Sequence, residues 1–495
     1  MRYITPRKRA EGKGAAHAGT EHHWSMMVSA AGLAFLVPVW LYVFGKALGQ
    51  PREVVLETFS HPFPAILTAL VLVVGMRHFA MGATTMIEDY VRGTARKMLI
   101  IFVISLSWVI AATGLSRLAR AQSTAAGGKK PDEKAAGNAA KPGGKTLLIL
   151  GGTAFLGPEV VEAAQAKGWT ITLFNRGKTR PNLFPDLEKL HGDRDPKKGE
   201  GLKALEGRTW DYVVDTSGYY PRMVKASAEL LKDHCKRYAF VSSVSVYKND
   251  GQGPQDESAE VGTIPDPTVE TMGEQMQNYG PLKALCEQAA EAAIPGRVLN
   301  IRPGYIVGPG DWSGRFNYWP LRIREAGKKD ASSKEVLAPG TPDDPVQYVD
   351  VRDLAEFIVH ALDTENHGVF NVLGPTPSDK PARWGDTLEA CKRVTQSDCK
   401  FTWVDAAFLK EHADPEKDYF PIWLPATGET SGFHRRSNMS AVKAGLKFRP
   451  VDDTIIAFLK WYDALKPEQQ QRYLAGTPRE RELELLKMWN ERKKG

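Results

Sequence analysis

The sequence predicts two unlike parts in one chain of 495 residues: three membrane-spanning helices, then a doubly wound parallel α/β sheet with a smaller C-terminal part. Three observations carry this reading. Almost every long apolar run falls before Arg120. Residues 121–145 then contain no large apolar side chain, so they cannot bury a core and are expected to act as a flexible tether spanning on the order of 25–30 Å. From Thr146 to Gly177 the chain reads strand, glycine turn, helix, strand, the unit from which parallel sheets are built.

Composition narrows the functional classes. The mean hydropathy of −0.33 averages an apolar first part with a polar remainder. The formal charge of +7 is not gathered into one basic tract, which gives no nucleic-acid footprint. Four cysteines, Cys235, Cys286, Cys391 and Cys399, show neither metal-ligand spacing nor a disulfide framework and are expected as buried thiols. The first residues are polar and basic for too long to read as a secretory signal peptide.

The apolar runs are Ser25 to Gly45, Phe63 to Met76 (continuing past Arg77 and His78 to Ile87) and Met98 to Ser116. A spanning helix needs about 20 mostly apolar residues, which each run supplies. Arg2, Arg7, Lys8, Arg9 and Lys13 stand against Glu11 before the first run, and Arg92, Arg96 and Lys97 follow the second. The loop between the first two runs has Arg52 against Glu53 and Glu57. The positive-inside bias therefore puts the N-terminus and the second loop in the cytoplasm, and the third span exits on the far side. Arg77 and His78 interrupt the second run, where polar side chains are costly and usually functional. A lone histidine there also fits a hydrogen bond to a neighbouring helix. His78 is followed by Gly82 and by Glu88-Asp89-Tyr90-Val91 at the membrane edge, and His22-His23-Trp24 precede the first run.

In these features residues 1–120 resemble the hydrophobic membrane anchor subunit of bacterial succinate dehydrogenase, a multi-pass protein of the inner membrane. The resemblance implies that His78 is an axial ligand of haem b. It also implies that Asp89 and Tyr90 belong to the quinone site, with the tyrosine hydroxyl bonding a ubiquinone carbonyl. Arg77 receives no role. The partners implied are a second anchor subunit that supplies the other haem ligand, together with the iron–sulfur and flavoprotein subunits.

The second part begins with the apolar run Leu147–Leu150, then Gly151, Gly152 and Gly157, a helix over Pro158–Lys167 and a strand over Thr170–Phe174. Glycines at this first turn let a dinucleotide pyrophosphate approach a helix N-terminus in a Rossmann-type sheet. They also serve, more plainly, to let a strand meet a helix. The second strand ends in Asn175-Arg176-Gly177, where NAD-selective sheets carry an acidic residue; with Arg176, Lys178 and Arg180 there instead, NADP is favoured over NAD. The segment Leu190–Asp195 ends a third strand, with Asp193 placed to meet an adenine, and Tyr212–Ser217 makes a fourth.

Arg237–Tyr247 reads as a strand ending in serines, and Tyr279-Gly-Pro-Leu-Lys283 opens the next helix, Pro281 lying in its first turn. Tyrosine and lysine at this spacing share one helix face, one turn apart. An ammonium beside the phenol lowers its pKa from about 10 toward neutrality, making it a usable acid and base. An exposed helical pair of the same spacing is the bland alternative. The order of these motifs resembles the extended short-chain dehydrogenase/reductase family of the NAD-dependent epimerase/dehydratase type, over residues 146–495. The resemblance implies Ser243 as catalytic serine, Tyr279 as acid/base and Lys283 as its partner and ribose ligand. Arg302-Pro303-Gly304, Gly308-Pro309-Gly310 and Val346 to Asp353 match further. Ala154 replaces the middle glycine of the turn and is expected to narrow the pyrophosphate approach. The LFNRG stretch also resembles chloroplast stem-loop RNA-binding relatives, which keep the fold for another task, so a non-catalytic NADP- or RNA-binding module is the alternative.

Residues beyond about Gly296 are expected to form the smaller substrate-binding part, with Phe316, Tyr318, Trp319 and Arg322 as pocket or, more plainly, core residues. Glu468–Lys494 reads as a charged surface helix interrupted near Gly476-Thr-Pro478. The whole is expected to be a fusion: an anchor over 1–120, a linker over 121–145, and a dehydrogenase/epimerase-like domain over 146–495 acting on a small carbinol or ketone substrate. Three spans leave that domain on the periplasmic side. Ala119-Arg120-Ala121 has the small-x-small pattern of a signal-peptidase site, although a plain spacer with incidental alanines is the favoured reading, and Arg117 and Arg120 would favour retention inside.

Overall fold

The structure is a computed structural model that describes residues 21–48, 58–59, 62–91, 93–125, 144–248, 255–473 and 475–492; the side chains at 21–23, 62, 89 and 112–125 lie outside that description. The chain divides into two compact units, residues 1–135 and 136–495. The expected tether falls largely outside the described residues. Its first five residues belong to a helix, because the third helix runs on to Ala125 through the alanines and arginines after the apolar run.

The first unit contains helices α1 (Glu21–Ala47), α2 (Pro62–Tyr90) and α3 (Thr94–Ala125). Stretches within all three, Trp24–Ala47, Phe63–Glu88 and Thr94–Ala111, are long and apolar enough to cross a membrane. Helix α2 packs against both others. Small residues let α1 and α2 approach: a Cβ placed on Gly75 would touch Leu33, and one on Gly82 would touch Met26, each at 3.9 Å. Polar side chains close the same interface, Trp40 Nε1 donating to Thr68 Oγ1 at 3.1 Å.

The second unit is built on a seven-stranded, all-parallel sheet. Its strands are β1 (Thr146–Leu150), β2 (Thr170–Asn175), β3 (Glu188–His191), β4 (Tyr212–Asp215), β5 (Arg237–Val241), β6 (Val298–Pro303) and β10 (Gly368–Val372). The spatial order β10-β6-β5-β4-β1-β2-β3 starts at β1 and winds outward in both directions. The central strands are buried along nearly their whole length, which explains their unbroken apolar runs. Helices α4 (Leu156–Ala166) and α8 (Val351–Asp363) cover one face. Helices α5 (Pro221–Leu231) and α6 (Tyr279–Ala293) cover the other.

The smaller part differs from the sequence expectation at its start. It does not begin at Gly296, because β6 pairs with β5 and β10 returns to pair with β6. It is an excursion after Pro303, resumed after Val372. It holds β7 (Tyr305–Val307) beside β9 (Tyr348–Asp350), and β8 (Glu335–Pro339) beside β11 (Lys400–Val404). Helices α7 (Tyr318–Ala326), α9 (Trp384–Thr395), α10 (Ala406–Glu411), α12 (Val451–Asp463), α13 (Pro467–Gln470) and α14 (Arg479–Arg492) complete it, whereas α11 (Met439–Lys443) packs back on β10 and the core of the main sheet. Phe316, Trp319 and Arg322 are buried here, so they are core rather than pocket lining. The last helix is no free surface helix either. Leu485 and Leu486 enter this second core, and buried Glu482 accepts from Arg322 Nε and, at 2.9 Å, from the Leu337 N–H. All four cysteines are free and buried.

Candidate functional site

The glycine turn forms because β1 must hand over to α4 with almost no room. Gly151 and Gly152 take φ of +117° and +84°, open to glycine at little cost. A Cβ on Gly151 would lie 2.4 Å from Thr216 Oγ1, and one on Gly157 2.4 Å from the Gly152 Cα. The turn therefore folds onto its own helix and leaves backbone at the α4 N-terminus, the cradle a pyrophosphate needs. Helix α4 starts at Leu156, two residues before the expected start, so Gly157 sits inside its first turn. Ala154 is exposed.

Three predicted cofactor residues gather beside this turn at the carboxyl ends of β2 and β3. Asn175 Nδ2 donates to the Gly151 carbonyl at 3.3 Å, and its Oδ1 accepts from the Gly177 N–H at 2.8 Å. Arg176 is exposed. Asp193 lies just past β3, its Oδ1 accepting from the Asp195 N–H at 2.9 Å. Arg180, grouped in the sequence reading only with the nearby basic residues, takes a position of its own. At φ +43° it turns back so that Nε donates to the Thr153 carbonyl at 2.8 Å and Nη2 to that of Ala154. Its guanidinium is thereby fixed on the glycine turn; no sequence spacing announces a contact across 26 residues.

The second cluster is at the end of β5 and the start of α6. Past Val241, Ser243 caps a short 3₁₀ turn (Val244–Val246), its Oγ accepting from the Ser245 N–H at 3.1 Å. Tyr279 opens α6, and Ser243 acts on its phenol by lowering the pKa. Lys283 follows one turn on, fully sequestered, its Nζ donating to the carbonyls of Val241 at 2.6 Å and Gly218 at 2.8 Å. The Lys283 Nζ also lies 4.2 Å from the Phe240 ring centroid and 5.4 Å from that of Tyr219. Burial depresses the lysine pKa to about 8.

Burial pushes the Tyr279 phenol above its ordinary 10, with Ser243 and the Arg315 guanidinium pulling the other way. The Lys283 ammonium is turned to two backbone carbonyls. Below this pair, Asp215 at the end of β4 accepts from Arg194 and from Tyr238 Oη at 2.8 Å and receives the Ser217 N–H at 3.0 Å, fixing the strand end that carries Gly218. Arg194, Arg315 and Tyr219 were not legible as site residues, since each reaches the site from a different loop.

In the first unit, His78 lies on the face of α2 toward α1. Its Nδ1 is 2.9 Å from Ser29 Oγ. Arg77 Nη2 donates to Ser25 Oγ at 3.2 Å. Asp89 lies on α2 with its side chain outside the described residues, and Tyr90 ends the helix with its ring 84% exposed. Glu88 and Arg96 form an ion pair at 3.5 Å between α2 and α3.

Comparison with known proteins divides the chain in the same place. Residues 1–112 match the succinate dehydrogenase/fumarate reductase transmembrane subunit family, and residues 147–372 match the NAD dependent epimerase/dehydratase family. The chain is 50% identical over 120 residues to the succinate dehydrogenase hydrophobic membrane anchor subunit of Paracoccus denitrificans, covering 24% of this chain and 93% of that one. It is 26% identical over 268 residues to the chloroplast stem-loop binding protein of 41 kDa b of Arabidopsis thaliana, covering 50% of this chain and 63% of that one. Among solved structures, the UDP-glucose 4-epimerase of Bifidobacterium longum in complex with NAD+ and UDP matches at 18% identity and a TM-score of 0.44, over 66% of this chain and 99% of that one. The UDP-N-acetylglucosamine 4-epimerase of Bacillus cereus matches at 15% and 0.43, over 64% and 99%.

Proposed function

The chain belongs, through residues 1–112, to the succinate dehydrogenase/fumarate reductase transmembrane subunit family and carries an epimerase/dehydratase-type domain behind it, and from that premise we propose two activities on one polypeptide. The first unit anchors a succinate dehydrogenase in a bacterial inner membrane. His78 supplies one axial ligand of haem b, while Asp89 and Tyr90 face ubiquinone with the tyrosine hydroxyl bonding its carbonyl. A second anchor subunit, an iron–sulfur subunit and a flavoprotein subunit complete the assembly. His78 suits the iron because its Nδ1 is engaged by Ser29, and among the described residues nothing bonds its Nε2.

The second unit binds NADP or NAD and oxidises or epimerises a carbinol substrate, with a sugar nucleotide as the class suggested by the proteins it resembles. The turn at Gly151, Gly152 and Gly157 would hold the pyrophosphate, Asn175 and Arg176 the ribose end, and Asp193 the adenine. When bound, the nicotinamide supplies a hydride acceptor. Ser243 then holds the substrate oxygen, Tyr279 removes its hydroxyl proton, and Lys283 orients the ribose. The observation that carries this reading is the placement of Tyr279 at the start of α6, where Ser243 lowers its phenol pKa, with Lys283 one turn further along the same helix.

The relation to a stem-loop binding protein favours a second reading, a module that binds nucleotide or RNA without turnover. One preparation separates them. Residues 136–495 should co-purify with a nicotinamide dinucleotide, and Tyr279→Phe should abolish turnover in a sugar-nucleotide screen while keeping that nucleotide. A domain that retains no dinucleotide and binds stem-loop RNA instead would establish the second reading. By the charge bias, this domain stands on the periplasmic side.

A further inference from the structure

We propose that Ser29 is a positioning residue for the iron ligand: it fixes the tautomer of His78 and sets how strongly that imidazole donates to haem. The inference rests on the haem reading above and concerns a residue to which neither the sequence nor the family match assigns a role.

The single hydroxyl proton of Ser29 faces three possible acceptors. Ser29 Oγ lies 2.8 Å from the Ser25 carbonyl and 2.9 Å from the Met26 carbonyl, one helical turn back on α1. Carbonyl oxygens only accept, so the single hydroxyl hydrogen is directed at them. With the hydroxyl hydrogen turned back along α1, His78 Nδ1 at 2.9 Å is the donor, giving its proton to a lone pair on Ser29 Oγ. A neutral imidazole with its proton on Nδ1 has a bare lone pair on Nε2. That is the tautomer a metal requires, held in place before any iron arrives. A histidine ligand whose second nitrogen donates to an oxygen is also a stronger electron donor, as with the outer partners of other metal-bound imidazoles.

The surroundings hold this geometry. Gly75, His78 and Gly82 fall on one face of α2, three and four residues apart, and the two glycines bring α1 close enough for a short serine side chain to reach. Ser25, one turn from Ser29, takes the neighbouring Arg77. Two serines of α1 thus engage two consecutive residues of α2, which fixes both the rotation and the height of His78.

The test uses the assembled membrane complex with Ser29→Ala, Ser29→Thr and His78→Ala. Ser29→Ala should retain b-type absorbance but raise the haem midpoint potential, because a weaker donor stabilises ferric iron less, and should alter the low-spin ferric electron paramagnetic resonance signal. Ser29→Thr restores the hydroxyl and should return both readouts to the parent values. Loss of haem in Ser29→Ala that threonine restores supports the proposal equally. An alanine variant with haem bound and unchanged potential and spectrum overturns it, as does a defect that threonine fails to restore, since the side chain would then act by packing. His78→Ala retaining unchanged haem would instead remove the underlying ligand assignment.

Discussion

Replacing Lys283 by methionine makes the central claim about the second site measurable. The Nζ is enclosed by Phe240, Tyr219 and two carbonyls, and its pKa falls from the ordinary 10.5 to about 8 because burial penalises the charged form. An unfolded chain holds this proton up to pH 10.5, the folded one only to about 8. Between those values the unfolded state binds more protons, so stability rises with pH across the window. At about 1.4 kcal/mol for each pH unit, the rise is about 3 kcal/mol when complete. The neighbouring Cys286 thiol, which burial pushes up to about 12, stays protonated throughout. Lys283→Met keeps the stem's volume and removes the proton, so this rise should vanish. Its two orphaned carbonyls should cost about 1–3 kcal/mol each at every pH. Urea unfolding of residues 136–495 at intervals from pH 7 to pH 10, parent minus variant, reads the difference. A parent curve about 2–3 kcal/mol steeper over that range is expected. Parallel curves would show that Lys283 is not held in a desolvated site, and the account of its role would fall.

Other perturbations test separate parts. Gly157→Ala drives a methyl to within 2.4 Å of the Gly152 Cα, so the turn must open; dinucleotide affinity measured by calorimetry should fall at least tenfold, and unchanged affinity would place the pyrophosphate elsewhere. Tyr90→Phe should leave haem absorbance intact and slow quinone reduction in the assembled complex through loss of one hydrogen bond; normal quinone kinetics would remove Tyr90 from that site. Alkaline phosphatase and green fluorescent protein, fused separately after Gly143, report the side reached by the chain after α3. Phosphatase activity without fluorescence is expected, and the reverse pattern would put the domain in the cytoplasm.

What the sequence made legible follows from the range of the forces involved. The three spans, the glycine turn and the Tyr279–Lys283 spacing are local: apolar runs, positive φ and helical periodicity are all written within a few residues. The return of β10 to the main sheet was not legible, because the run around Phe370 would suit any buried strand and only β6 decides where it pairs. Helix α14 reads as surface in the sequence since its inward face carries Glu482, a buried charge paired with Arg479 one turn back and with Arg322, 160 residues away. Lys283 was correctly placed next to Tyr279, but its carbonyl partners at Gly218 and Val241 lie 65 and 42 residues back, and they change what its charge does. Ser29 looked like any small residue in a span until α2 was brought beside it.

The dependence of Arg322 on Glu482 has a consequence for the order in which the protein matures. All seven strands of the main sheet have been synthesised by Val372, and the glycine turn and Tyr279 are by then in place. The partner of Arg322 is still unmade. At about 5–20 residues per second a ribosome needs on the order of ten seconds to reach Glu482. Throughout that interval the smaller part holds a guanidinium at its centre with no counter-charge and an apolar floor waiting for Leu485 and Leu486. The strands and the glycine turn are therefore synthesised well before the smaller part can close. A chain cut short of α14 would leave Arg322 without its counter-charge and remain a target for chaperones and proteases.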